Sequence, residues 1–121
     1  MANTILVIDD EHLIREIAKD MLNALGHGVI LAENGKEGLE IYIKNKDKID
    51  LVLLDQVMPE MNGIECLHEL RRVNPDVKVI FVTGVKKATF WKELKSLGVK
   101  VYLGKPYSIK KMEQAINKII I

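Results

Sequence analysis

Cysteine, proline and aromatic residues are scarce in this chain of 121 residues, and each scarcity excludes a class of protein. The single cysteine, Cys66, leaves no internal disulfide and no cysteine-based zinc site, which favours a cytoplasmic protein. With 8 glycines and 3 prolines, the chain is neither collagen-like nor of low complexity. No apolar run approaches the roughly 20 residues of a membrane span. The first residues also lack the basic segment of a secretory signal.

Hydrophobic residues make up 48% of the chain, which is too many for a disordered protein. The length fits one domain over residues 1–121, which would bury about two-thirds of the surface of its unfolded chain. The net charge of +1 conceals an uneven distribution. Residues 1–85 carry 9 basic and 15 acidic side chains, whereas residues 86–121 carry 9 lysines and 2 glutamates. Such a separation of charge indicates an interaction surface more than a feature of the fold.

Short apolar runs rich in β-branched residues alternate with amphipathic segments along the whole chain. This alternation predicts an α/β fold, a single (βα)5 doubly wound parallel sheet with helices on both faces. By analogy, the strand order is the flavodoxin-like 2-1-3-4-5. The predicted strands are residues 4–8, 29–32, 49–54, 77–82 and 99–103, and the predicted helices are residues 11–25, 36–44, 64–73, 86–97 and a last one that begins after residue 108.

Polar side chains follow four of the predicted strands at the point where each strand ends. Asp9 and Asp10 follow the first strand, Asp55 the third, Thr83 the fourth and Lys105 the fifth. The carboxyl ends of parallel strands meet at one edge, where ligands bind at the switch point between strands 1 and 3. Carboxylates placed so close repel one another unless a cation intervenes, and Mg²⁺ fits such a small set of oxygen ligands better than Ca²⁺. An amine and a hydroxyl beside a spare carboxylate complete the parts for phosphoryl transfer to that carboxylate.

These motifs make the chain similar to the receiver domains of bacterial two-component response regulators. The matching segments are the acid pair at 9–10, LVLLDQVMPEMNG at 51–63, VTG at 82–84 and YLGKP at 102–106. They span the whole length, in order, and only their combination is specific. The resemblance implies a phosphorylation-dependent signalling switch rather than an enzyme that acts on other substrates. Such a domain catalyses its own phosphorylation and dephosphorylation, and no output domain is expected within residues 1–121.

The resemblance also assigns roles to residues at the predicted edge. Asp55 would accept a phosphoryl group from phosphohistidine on a sensor histidine kinase or a phosphotransfer protein. Mg²⁺ would be bound by Asp10, Asp55 and the backbone carbonyl of Val57, with Asp9 acting through water. Lys105 would pair with the phosphoryl group, and the Lys105–Pro106 peptide resembles one that is often cis in this family.

A conformational switch is implied on the other side of the same edge. Thr83 would hydrogen-bond a phosphoryl oxygen, and Tyr102 would follow it inward as the switch aromatic. The change would alter the surface made by the fourth helix, fifth strand and fifth helix. Val57 and Val85 are apolar at positions that vary in the family, and we expect them to slow dephosphorylation because neither can place a water by hydrogen bonding.

Other residues carry weaker signals. Gln56 occupies a position that is more often apolar, so we expect it to face solvent or a partner. Cys66, Met58 and Met61 are expected to be packing residues. Trp91 is either buried or marks a contact site.

Two other functions are compatible with this architecture. The first is an aspartyl-phosphate hydrolase, but haloacid-dehalogenase-type phosphatases place a second acid where this chain has Val57. The second is a flavin or nucleotide binder, which needs a Gly- or Ser/Thr-rich loop after strand 1, where this chain has Asp-Asp-Glu.

The lysines of residues 86–121 suggest an acidic protein partner, and the alternative is a set of solvated helix faces. Direct nucleic acid binding by this domain is not expected, because all nine are lysines and no arginine is present for bidentate base contacts. A membrane partner is not expected either. The lysines outside the predicted phosphate site are Lys86, Lys87, Lys92, Lys95, Lys100, Lys110, Lys111 and Lys118.

Overall fold

The structure, a computed structural model, describes residues 3–84 and 88–120, with the side chains of residues 88 and 89 excepted. Strands and helices alternate throughout these residues. The elements are β1 Thr4–Ile8, α1 His12–Ala24, β2 Gly28–Ala32, α2 Gly35–Asn45, β3 Leu51–Asp55, α3 Gly63–Val73, β4 Val79–Thr83, α4 Ala88–Ser96, β5 Val101–Gly104 and α5 Ile109–Ile120. None of the helices in the described parts of the chain has the length and hydropathy that a membrane span requires.

All five strands pair in parallel, in the order β2-β1-β3-β4-β5, which confirms the predicted fold class and topology. The register brings the carboxyl ends of the central strands to the same height. Asp55 at the end of β3 lies opposite Val82 of β4, and Thr83 lies opposite Gly104 of β5. The residues that follow these strands therefore collect at one edge of the sheet.

The sheet separates two hydrophobic cores, which explains why its strands are continuous apolar runs. Along β1, Leu6 and Ile8 belong to one core, whereas Ile5 and Val7 belong to the other. The first core includes Tyr42 of α2, Leu67 of α3 and Leu94 of α4. The second includes Leu22 of α1 and Met112 of α5.

Three strands begin two residues later than their apolar runs predict. The runs at 49–54, 77–82 and 99–103 correspond to strands at 51–55, 79–83 and 101–104. The backbone amides of Ile49, Val77 and Val99 donate hydrogen bonds back to Asn45, Asn74 and Leu94, near the end of each preceding helix. These residues are apolar because they fill the core beneath a turn, and they do not take part in the sheet.

A glycine follows the end of two of the helices. Gly26 follows α1 and Gly98 follows α4, and both have positive φ, at 90° and 80°. Glycine adopts this left-handed conformation without the steric cost that a Cβ would bring. The predicted beginning of the fourth helix, at residues 86 and 87, lies outside the described residues.

Candidate functional site

Four acidic residues meet at the carboxyl edge of β1 and β3. Asp9, Asp10 and Glu11 follow β1, and Asp55 is the last residue of β3. Each offers a carboxylate oxygen, and these oxygens all lie within 4.8 Å of one another. Asp9 and Asp55 are buried, with 3% and 2% of their surface exposed, whereas Asp10 and Glu11 are exposed. The two buried carboxylates are therefore partly desolvated, and they also repel each other.

Lys105 is the cation that faces this cluster. Its Nζ lies 3.0 Å from Oδ1 of Asp55, 3.3 Å from Oδ2 of Asp9 and 3.4 Å from Oε1 of Glu11. Its backbone N–H donates to the carbonyl of Thr83 at 2.9 Å, which fixes the lysine to the end of β4. The Lys105–Pro106 peptide bond is cis, as the resemblance implied. One lysine cannot neutralise four acids, so the site keeps an excess of negative charge.

The pKa values in the site reflect burial first and the neighbouring charges second. Burial raises the pKa of Asp55 to about 6, and the charge of Asp9 adds to the effect despite the bond with Lys105. Burial likewise raises the pKa of Asp9. Burial alone would lower the pKa of Lys105. Its bonds with Asp55 and Asp9 outweigh burial and raise that pKa above the ordinary value. Burial raises the pKa of the nearby Tyr107 hydroxyl to about 12, with a contribution from Asp9.

Asp55 has one carboxylate oxygen in use and one without a partner. Oδ1 contacts Lys105, but Oδ2 is buried and has no hydrogen-bond donor among the residues that the structure describes. A buried oxygen left in this state costs on the order of 1–3 kcal/mol. A hard divalent cation would relieve that cost and the repulsion between the carboxylates together. The donor set, made only of oxygen atoms, fits Mg²⁺.

Two residues that the sequence did not single out hold the acid cluster in place. Arg15 of α1 donates from Nη1 to the backbone carbonyl of Asp9 at 2.8 Å, and the amide of Glu11 donates to Oδ1 of Asp9 at 2.9 Å. Glu11 also contacts Lys105. Its place directly after the acid pair was a usable signal, whereas the role of Arg15 depends on how α1 leaves the sheet.

Gln56 corrects a prediction. We expected it to face solvent or a partner, but its side chain is half-buried and bends toward the start of α3. Oε1 accepts a hydrogen bond from the amide of Ile64 at 3.1 Å, and the backbone carbonyl accepts from Gly63 at 2.9 Å. The residue is polar because it satisfies helix amides that have no partner within the helix.

The residues of the predicted switch lie on neighbouring strands. Thr83 is buried at the end of β4, with 2% of its surface exposed. Tyr102 of β5 is 44% exposed, and its ring lies 4.1 Å, centroid to centroid, from that of Trp91 at an angle of 43°. Tyr102 therefore points outward in this structure. Val57 is 67% exposed beside the acid cluster, and Val85 lies outside the described residues.

The predicted packing residues are found in the core. Cys66 is fully buried, and burial raises the pKa of its thiol to about 12, so the thiol is not activated. Met58 is buried and Met61 packs against the same core. Trp91 is partly buried against this core as well as being in contact with Tyr102.

Apart from Lys105, the lysines of residues 86–121 that the structure describes occupy two separate places. Lys92 and Lys95 of α4 and Lys110 and Lys111 of α5 are exposed on their helices. Lys100 and Lys118 instead line a cleft of about 380 Å³ at the opposite, amino edge of β4 and β5. Lys86 and Lys87 lie outside the described residues. In this cleft Arg71 and Lys78, from the first 85 residues, join the two lysines.

Comparison with known proteins agrees with the geometry of the site. The family model of the response regulator receiver domain matches residues 5–117. The chain belongs to this family. Receiver domains are the phosphoacceptors of two-component signalling, and they bind Mg²⁺ at an acidic pocket. This receiver domain has an acidic cluster made of Asp9, Asp10, Glu11 and Asp55.

Three relatives illustrate the similarity. The receiver domain is 33% identical over 118 residues to sporulation initiation phosphotransferase F of Bacillus subtilis, covering 98% of this chain and 94% of that protein. It is 35% identical over 117 residues to the sensor kinase CckA of Brucella abortus, but spans only 12% of that protein. Among solved structures, it is 33% identical to the response regulator TrrA of Thermotoga maritima in complex with Mg²⁺-BeF. The TM-score is 0.84, with 96% of this chain and 97% of the other covered.

Proposed function

We propose that the receiver domain is a phosphorylation-dependent switch in which Asp55 accepts a phosphoryl group. The donor is a phosphohistidine of a sensor histidine kinase or a phosphotransfer protein. The observation that carries the proposal is the buried, unpartnered Oδ2 of Asp55, next to an Oδ1 that Lys105 already holds at 3.0 Å. One carboxylate oxygen of Asp55 attacks phosphorus as the P–N bond breaks, and the electron pair of that bond returns to the imidazole of the donor. The other oxygen of Asp55 would remain available to Mg²⁺.

The excess of acids explains why a metal is needed. An anionic phosphoryl group cannot approach four carboxylates and one lysine without further positive charge. Mg²⁺, when bound, neutralises the phosphoryl oxygens. Asp10, Asp55 and the backbone carbonyl of Val57 would hold it directly, and Asp9 would act through water. The complex of the similar TrrA with Mg²⁺-BeF supports this assignment.

Lys105 and Thr83 bind the transferred group. The ammonium of Lys105 is shared among three acids, so it can exchange one of them for a phosphoryl oxygen without losing all its partners. The hydroxyl of Thr83, at the end of the neighbouring strand, would donate to a second phosphoryl oxygen. Val57 supplies no acid for turnover of external phosphoesters, and no observation favours the hydrolase alternative.

The experiment that tests this proposal is intact mass measurement after incubation with acetyl phosphate and Mg²⁺. Wild type is expected to gain the mass of one phosphoryl group, and Asp55→Asn is expected to gain none. Asp76→Asn, which removes an exposed acid at the amino edge, is the matched control and is expected to behave as wild type. Phosphorylation of Asp55→Asn at the wild-type rate, or undiminished phosphorylation in excess chelator, would contradict the proposal.

The phosphoryl group would change the surface formed by α4, β5 and α5. Thr83 moves toward the phosphoryl oxygen, and Tyr102 turns inward to fill the space that it leaves. Tyr102 leaves its contact with Trp91, the only tryptophan of the chain, so phosphorylation is expected to change the intrinsic fluorescence. Thr83→Ala is expected to accept phosphate with a smaller fluorescence change. An equal change in wild type and Thr83→Ala would show that the two residues are not coupled.

A further inference from the structure

Gln56 closes the loop between β3 and α3, which carries Val57. Its backbone N–H donates to the carbonyl of Val82 at 3.0 Å, which joins the beginning of the loop to β4. Its carbonyl and its Oε1 accept from Gly63 and Ile64, the first two residues of α3. One residue therefore fixes both ends of a seven-residue loop, residues 56–62, directly after Asp55.

The base of this loop has no spare room. A Cβ added at Gly63 would lie 2.6 Å from the carbonyl oxygen of Asp55, 2.8 Å from Oε1 of Gln56 and 2.8 Å from Cζ of Phe81. The side-chain amide of Gln56 therefore lies close against the start of α3, where its Oε1 accepts from Ile64. Asn62 has a different task, because its Oδ1 caps α3 by accepting from the amide of Glu65 at 2.9 Å.

Val57 makes no hydrogen bond with any of the residues that the structure describes. Its side chain is 67% exposed, so its backbone carbonyl is oriented by the residues on either side. Met58 on one side is buried in the core, and Gln56 on the other is held by three hydrogen bonds. Mg²⁺ demands nearly octahedral geometry, so a carbonyl ligand must be held at a fixed angle.

We propose that Gln56 is a positioning residue for Mg²⁺, acting through the carbonyl of Val57. The inference rests on the proposed function, in which that carbonyl is a ligand. Without the acceptor on Gln56, the amide of Ile64 loses its partner and the loop loses one of the bonds that close it. Partners that hydrogen-bond metal ligands typically change affinity 10- to 100-fold when replaced, and Gln56 acts one residue further away. Because the backbone bonds of Gln56 remain, we expect the lower end of that range.

The test is the dissociation constant for Mg²⁺ alone, measured from amide chemical shifts during titration of the unphosphorylated protein. Gln56→Met keeps the approximate volume and removes the acceptor, and it is expected to weaken Mg²⁺ binding about tenfold. Asn62→Ala removes the cap of α3 and leaves the bonds of Gln56 intact. It is expected to lower the urea midpoint of unfolding about as much as Gln56→Met, with a dissociation constant within about twofold of wild type.

Two results would overturn the inference. One is a dissociation constant for Gln56→Met within about twofold of wild type, and the other is an equal loss in Asn62→Ala, which would mean that α3 stability alone matters. Gln56→Leu, which also lacks the acceptor, replaces Gln56→Met if that variant does not fold. Asp10→Asn separates this inference from the proposed function. Normal Mg²⁺ binding by Asp10→Asn contradicts the proposed metal site, whereas loss in Asp10→Asn with none in Gln56→Met contradicts only the role of Gln56.

Discussion

The charged side chains at the two edges of the sheet differ in their burial and in their pairing. At the carboxyl edge, the buried Asp9 and Asp55 share Lys105, and their pKa values are raised. At the amino edge, a cleft is lined by basic side chains, none of which makes an ion pair with another residue in the described parts of the chain. A substitution should therefore have large effects, dependent on pH, at the first edge and small effects at the second. The charged residues that line the cleft are Arg71, Asp76, Lys78, Lys100 and Lys118.

The largest expected difference comes from removing one lysine at each edge. Lys105→Met leaves two buried carboxylates without a cation, which we expect to lower the free energy of unfolding by about 3 kcal/mol at neutral pH. Lys100→Met removes an exposed lysine without an ion pair among the described residues, and should stay within about 0.5 kcal/mol of wild type. Urea unfolding without Mg²⁺ measures both. An equal loss of stability in the two variants would contradict the proposed difference between the two edges.

The second difference is a gain in stability, with a definite dependence on pH. The pKa of Asp55 is raised in the folded state to about 6, so its ionised form opposes folding. Asp55→Asn is therefore expected to be more stable than wild type by about 2 kcal/mol at neutral pH. The wild-type disadvantage is absent below the unfolded-state pKa of 3.8, develops as the pH rises from there to about 6, and stays constant above that value. The advantage of Asp55→Asn over wild type should therefore shrink as the pH falls below that value.

Asp76→Asn is the control for this pH dependence, because it removes an exposed acid at the amino edge. Its free energy of unfolding should match that of wild type at neutral pH and at acidic pH. If Asp55→Asn is less stable than wild type at neutral pH, the bond with Lys105 outweighs the cost of burying Asp55. That result would mean that folding lowers the pKa of Asp55 instead of raising it.

The fold could be predicted because burial on both faces leaves a clear pattern in the strands. The pattern gave the strand order by analogy, but it placed the first residues of three strands two positions early. An apolar side chain at Ile49, Val77 or Val99 indicates that the residue is buried. It does not indicate whether the backbone amide pairs within the sheet or bonds back to the preceding helix. That choice depends on the length of each turn.

Some features of the site could likewise be predicted from the sequence, and others could not. Asp9, Asp55 and Lys105 could be predicted to meet, since each follows a strand and parallel strands end together. The bond from Gln56 to Ile64 could not, because it depends on the path of a loop. The outward direction of Tyr102 was also not predictable, because the resemblance implied a switch residue without stating which way its ring points in the unphosphorylated protein.

A smaller effect is expected at the exposed rim of the acid cluster. Val57→Asn places a polar side chain where water can approach the phosphoryl group on Asp55, since the position is 67% exposed. One added hydrogen bond of about 1 kcal/mol corresponds to about fivefold faster dephosphorylation. The half-life of the phosphorylated protein, followed by intact mass, measures the change. Ile43→Asn, at an exposed position on α2, should leave the half-life unchanged. An unchanged half-life in Val57→Asn would mean that water is not placed from this position.

The smallest effect concerns the lysines of the last 36 residues, which we propose bind an acidic protein. Apart from Lys105, those that the structure describes are divided between the helix surfaces of α4 and α5 and the amino-edge cleft, so there are two places for such a partner. A polyglutamate peptide is a minimal probe of both. Lys110→Glu with Lys111→Glu tests the helix surface, and Lys100→Glu with Lys118→Glu tests the cleft.

We expect the Lys110 and Lys111 double variant to weaken peptide binding about threefold at low salt, because two exposed charges contribute well under 1 kcal/mol each. The difference from wild type should largely disappear at physiological salt, where charges are screened over about 8 Å. The cleft variant should bind nearly as wild type does, because α3, α4 and α5 all end toward that edge, and the partial negative charges of their carboxyl termini offset the lysines. A greater loss of peptide binding in the cleft variant than in the helix variant would indicate that the acidic partner binds at the amino edge. Binding that is independent of salt would leave these lysines as solvated helix surfaces.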